Sequence, residues 1–207
     1  KKTIVDFDFK DKVIVLRCDL NVTIKDGKII DDSKIVKSLR SINYIVNNGG
    51  KVVILSHLGK VKSESDFVNN SLSVVYERLK ELVDFELSFC PYTDFDVVKN
   101  SVLNVSYGNG ILLENTRFYD VPDKLESGCS DTLSLFYASL GDIFINDAFG
   151  TIHRGHASNC GVAKYLDSGI GFLVMDEISN LSMLDDPVRP FVVIMGGAKL
   201  SDKLGII

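Results

Sequence analysis

The sequence has no apolar run near the ~18 residues that a membrane-spanning helix requires. Its opening, KKTIVDFDFK, lacks the apolar core of a secretory signal. Excess positive charge is also absent: a net charge of −5 gives no bulk attraction to nucleic acid or to an anionic membrane. An anionic ligand therefore needs a local basic cluster set against the overall sign. Cysteine is scarce, and Cys18, Cys90, Cys129 and Cys160 are scattered without a CxxC pair. That spacing argues against a disulfide framework and reads as reduced thiols of a cytoplasmic protein. Internal repeats and low-complexity segments are missing too. So is an initiator Met, and the chain is expected to be part of a longer gene product.

What is present is an ordinary globular composition, 45% hydrophobic and 25% charged over 207 residues. That length suits one domain of about 150–200 residues, or one domain and a piece of another. Short apolar runs recur at 13–16, 52–55, 111–113, 143–145 and 191–195. Each is bounded by Gly, Lys, Asp or Asn, as strands buried on both faces are. Helix-period segments lie between them. At 34–46, Ile35, Leu39, Ile42 and Ile45 share a face, with Asp32 or Ser33 as N-cap. Segments 71–83, 130–140, 159–167 and 174–185 read similarly. The alternation predicts an α/β fold: a doubly wound parallel sheet with helices on both faces, in three layers. Two of the four prolines fall in LDDPVRP at 184–190, which predicts a domain boundary near Asp186.

Ligands of such sheets bind at the carboxyl ends of the strands, so the residues after each run are informative. They are Arg17-Cys18-Asp19-Leu20-Asn21, Ser56-His57-Leu58-Gly59-Lys60, Glu114-Asn115-Thr116-Arg117, and Asn146 through His156. All three histidines lie in two of these segments. Cations converging on one sheet edge would suit a small polyanion. Singly, each has a plainer reading: Arg17 or Arg117 as a surface ion pair, and Asp19/Asn21 as turn chemistry. His153, His156 and Cys160 have no fourth ligand nearby, so no metal site is read there. The fifth run ends in Gly196-Gly197-Ala198-Lys199-Leu200-Ser201-Asp202-Lys203. A glycine-rich turn into a helix offers backbone N–H groups to phosphate, and a tight turn with two solvent-facing lysines fits as well. It is neither GxxxxGK[ST] nor GxGxxG.

In order along the chain, RCDLN, KVVILSHLGK, LLENTRFY, DAFGTIHRGHAS and GGAKLSDKLGII resemble the motifs of phosphoglycerate kinases, from residue 3 to residue 207. The resemblance implies a Rossmann-like domain over 1–173 that binds phosphoglycerate. It further implies an interdomain helix and linker over 174–187, and at 188–207 the start of a nucleotide-binding α/β domain expected to continue past Ile207. It implies that Asp19, Leu20 and Asn21 bind the substrate's hydroxyl and carboxylate region, with Lys34 near the reacting carboxyl. His57, Leu58, Gly59 and Lys60, with Arg117 and Arg154, would receive the 3-phosphate. Lys34 and Lys199 would be catalytic, and Gly196, Gly197, Lys199 and Lys203 would meet the nucleotide. Mg2+ is expected to arrive with ADP or ATP, held mostly by the further domain, and the parent enzyme is expected to be monomeric. Lys34 and Lys60 depart from the family's arginines, and Thr23 from its proline. A stand-alone anion-binding or regulatory module that kept the triose site without catalysis is the competing expectation.

Overall fold

A computed structural model describes residues 2–192 and 194. Strand β1 (Val13–Cys18) leads to a small hairpin, β2 (Ile24–Lys25) and β3 (Lys28–Ile29), and then to helix α1 (Ser33–Asn47). Next come β4 (Lys51–Leu55), a short helix α2 (Phe67–Asn70), α3 (Ser73–Leu82) and β5 (Leu87–Cys90). The chain continues through α4 (Phe95–Leu103), β6 (Gly110–Leu113), α5 (Asp131–Ala138) and β7 (Ile143–Asp147). It then enters β8 (Asp167–Ile170) and α6 (Phe172–Ser182). The six-stranded sheet has the order β5-β6-β4-β1-β7-β8, and every pairing in it is parallel.

Alternation along the central strands builds two cores. Ile14, Leu16, Val52, Ile54 and Ile145 face one side, where Ile35, Ile42 and Ile45 of α1 and Val75 and Leu79 of α3 cover them. Val15, Val53, Leu55 and Phe144 face the other, against Val98 and Val102 of α4 and Leu133 and Phe136 of α5. The α1 side chains sit at helical spacing, which is why that helix was legible. Each such buried side chain contributes about 1.5–3 kcal/mol. The expected three-layer doubly wound sheet is what forms.

Several elements differ from the sequence-based expectation. Strand β5 is an edge strand of four residues with only its end positions buried, too weak a pattern to read. Helix α4 is started by Asp94, whose carboxylate accepts from Asp96 N at 3.1 Å and Val97 N at 3.0 Å. The expected helix over 159–167 does not form as one piece. Residues 157–161 make a π-type turn, 162–164 a 3-10 turn, and Asp167 already belongs to β8. Asn159 and Gly161 are buried there alongside Val162, so one apolar face cannot continue. In β8, a Cβ on Gly169 would stand 2.6 Å from the Phe7 ring, so a small residue occupies the strand.

Helix α6 starts two residues before the expected 174. Asp147, at the end of β7, accepts from Leu173 N at 2.8 Å and Val174 N at 3.3 Å, and so fixes that start. The chain divides into a compact unit over Lys1–Glu177 and a second over Ile178–Ile207. Most of the expected strand 191–195, with Gly196, Gly197, Lys199 and Lys203, lies outside the described residues.

Candidate active site

Strands β1 and β7 are neighbours, and the connection leaving β1 runs to β4 on one side while that leaving β7 runs to β8 on the other. A crevice opens at the carboxyl ends of the strands where that reversal occurs. Four loops rim it, following β1, β4, β6 and β7.

Buried polar side chains hold these loops in place. Ser56 Oγ accepts from Leu20 N at 2.9 Å and donates to Cys18 O at 3.0 Å. Asn21 Oδ1 accepts from Gly59 N at 2.9 Å. Asn115, fully buried, accepts from Leu58 N and Arg117 N at 3.2 and 3.0 Å, and donates to Leu58 O and Asn70 O, both at 2.8 Å. Beside it, Glu114 accepts from Leu72 N at 2.8 Å and from Ser71 Oγ at 2.7 Å. The LLENTRFY string thus spends its Glu and Asn on loop architecture. Gly59 has φ +61° and a Cβ there would lie 2.1 Å from Asn70 Oδ1, so glycine is required.

The result is a cleft of about 490 Å³ lined by Asn21, His57, Gly59, Lys60, Arg117 and Arg154. Arg117 shares one guanidinium nitrogen with Asp120 at 3.1 Å. Arg154 is exposed and has no ion-pair partner among the described residues. Lys34, in the first turn of α1, reaches back to Asp19, with Nζ 3.1 and 3.3 Å from the two carboxylate oxygens. That pairing offsets a carboxylate that would repel an anion, as Arg117 offsets Asp120. Leu20 and Leu58 are core residues, and their N–H groups are already taken by Ser56 and Asn115. Their side chains therefore pack beneath the site and do not line it.

Arg17 is not a surface ion-pair residue. It is fully buried, on the same sheet face as Val15. Its Nε donates to Ser158 Oγ at 2.9 Å, and Ser158 Oγ donates to Glu126 Oε1 at 2.5 Å. The Arg17 NH2 group lies 3.2 Å from His57 Nδ1. An arginine only donates, so His57 accepts at Nδ1 and carries its proton on Nε2. Burial, then Arg17, Arg117, Arg154 and Lys34, push His57 down from 6.5 to about 2. His156, 3.6 Å from Glu126, is lowered to about 4 by burial and then by Arg117, Arg17 and Arg154. Both imidazoles are neutral at physiological pH, so His57 is a fixed hydrogen-bond donor in a cationic field. Glu126 and Ser158 carried no signal in the sequence, because only the fold brings them to Arg17.

Such a site can bind and orient a small polyanion by charge and hydrogen bonding. The expected residues Asp19, Asn21, Lys34, His57, Lys60, Arg117 and Arg154 all lie at this edge. Among the described residues, no cluster of three or more His, Cys, Asp or Glu is arranged to hold a metal ion.

A family model described as "Phosphoglycerate kinase" matches residues 4–207. A curated phosphoglycerate kinase of Macrococcus caseolyticus is 49% identical over 208 residues, covering 100% of this chain and 52% of that protein. One from Mesomycoplasma hyopneumoniae is 50% identical over 209 residues, with the same coverage of 100% and 52%. Among solved structures, phosphoglycerate kinase from Coxiella burnetii matches with a TM-score of 0.82 at 33% identity, over 97% of this chain and 49% of that one. The enzyme from Pyrococcus horikoshii OT3 matches with a TM-score of 0.83 at 30% identity, over 100% of this chain and 51% of that one. The chain spans about half the length of the curated relatives it matches, and it belongs to the phosphoglycerate kinase family.

Proposed function

We propose that this chain is the phosphoglycerate-binding half of a cytoplasmic glycolytic kinase. The reaction is reversible in-line transfer of a phosphoryl group from 1,3-bisphosphoglycerate to MgADP, giving 3-phosphoglycerate and ATP. One observation carries the reading. In a chain of net charge −5, Lys60, Arg117 and Arg154 converge with a neutral His57 on one cleft, and Lys34 stands beside Asp19.

Lys60, Arg117 and Arg154 receive the 3-phosphate, with His57 donating from Nε2. Asp19 and Asn21 hold the hydroxyl and carboxylate region, and Lys34 neutralises charge near the reacting carboxyl. That carboxylate is already ionised at neutral pH, so no general base is needed. Positioning and charge neutralisation carry the catalysis. Magnesium enters with the nucleotide as part of the substrate. Gly196, Gly197 and Lys203 meet nucleotide phosphates, and Lys199 stabilises the phosphoryl group in flight. These last four act together with a further domain, and the parent enzyme acts as a monomer.

The 207-residue chain alone is expected to bind 3-phosphoglycerate and to give no turnover. An enzyme-coupled assay with MgATP and 3-phosphoglycerate tests this. Turnover on the scale of roughly 1–100 per second would overturn the assignment of nucleotide binding to a further domain.

A further inference from the structure

Cys129 and Cys160 lie 31 residues apart in sequence, yet their Sγ atoms stand 3.6 Å apart. Cys160 is exposed and Cys129 is half-buried, whereas Cys18 and Cys90 are buried in the core. Only the first pair is therefore open to a reagent in the folded chain. Their close approach has a structural origin. Cys129 N donates to Glu126 O, and the turn carrying Cys160 packs its Gly161 against the same place. A Cβ on Gly161 would lie 2.1 Å from Ser134 Oγ and 3.4 Å from Cys129 Sγ. The absent side chain is what lets the two segments meet.

We propose that Cys129 and Cys160 form a reversible modification site for hydroperoxides, closing to an intramolecular disulfide. The Cys160 thiolate attacks one oxygen of the peroxide. An S–O bond forms, the O–O bond breaks, and hydroxide or alkoxide leaves to take up a proton. The Cys129 thiolate then attacks the sulfenic sulfur; the S–S bond forms, the S–O bond breaks, and the oxygen leaves as water. Two thiols lose two electrons and the peroxide gains them. Cys160 is the first to react because it is the exposed sulfur. Cys129 resolves it from 3.6 Å, so modest side-chain rotation reaches the ~2.05 Å of a disulfide.

The cross-link joins the segment after Glu126 to the one after Ser158, which together hold Arg17. Oxidation therefore staples the scaffold of the site without occupying the cleft. The test is brief treatment of the 207-residue chain with equimolar hydrogen peroxide, followed by thiol alkylation in denaturant and peptide mass mapping. The expected product has lost 2 Da and two of its four alkylatable thiols. It contains one peptide pair joining Cys129 to Cys160, reverts with dithiothreitol, and melts at a higher temperature. In Cys129→Ser, the Cys160 sulfur should proceed to sulfinic acid or to a mixed disulfide with added thiol. In Cys160→Ser, fast reaction should be lost. Sulfinic acid at Cys160 of the unsubstituted chain, or an intermolecular disulfide as its sole product, would overturn the proposal.

Discussion

Lys60 stands where phosphoglycerate kinases are expected to carry arginine, and it sits exposed on the cleft wall. Lysine supplies charge but not the planar two-pronged contact of a guanidinium. One added charge-assisted hydrogen bond contributes about 1.5–3 kcal/mol. Lys60→Arg is therefore expected to tighten 3-phosphoglycerate binding by roughly tenfold or more, as read by titration calorimetry at fixed salt. Unchanged or weaker binding would mean the loop is adapted to lysine. His57 gives a second residue-scale test. The folded state refuses a proton that the unfolded chain accepts below its ordinary 6.5, since burial and the surrounding cations lower it to about 2. Its contribution thus subtracts stability as pH falls below 6.5, by up to about 1.4 kcal/mol per pH unit. Glu126 and Asp147, raised by burial, give the opposite slope. Imidazole nitrogen NMR isolates the one group: His57 should stay neutral with the proton on Nε2 down to pH 5. A titration midpoint near 6.5 would refute its placement against Arg17. Cationic residues at strand ends were visible in the sequence, but the burial of Arg17 was not. Its partners Ser158 and Glu126 come from distant segments, and no local pattern announces them.

Strands and helices were legible where one face is buried along most of their length. Strands β1, β4, β6 and β7 each contain a continuous apolar run, and α1 shows its Ile35-Ile42-Ile45 face plainly. Strands β5 and β8 escaped because edge strands bury fewer positions, and β8 is built from Asp-Ser-Gly-Ile. The loop segments divided differently. LLENTRFY was recognisable as a motif, yet its internal division of labour was not. Asn115 and Glu114 shape loops, while Arg117 alone faces the cleft. Replacing Asn115 with Ala leaves four backbone partners on three residues unpaired. A loss of ~3 kcal/mol in unfolding free energy is expected, measured by urea denaturation, with weaker ligand binding as a consequence. A change below ~1 kcal/mol would show that the loops are held elsewhere.

At the scale of the whole molecule, fold and family were both legible because five motifs fall in order at the ends of five predicted strands. Four of those ends are brought to one crevice, whereas the fifth, Gly196 to Lys203, lies outside the described residues. The cleft of the first compact unit is the proposed site for a phosphorylated three-carbon acid. Calorimetric titration of the 207-residue chain with 3-phosphoglycerate, beside its Arg154→Ala variant, tests that most directly. Arg154 is exposed and makes no ion pair among the described residues, so its loss should leave the melting temperature unchanged. The account predicts saturable one-to-one binding that weakens roughly ten- to a hundredfold in the variant. Absence of saturable binding at millimolar ligand, or equal affinity in both proteins, would contradict it.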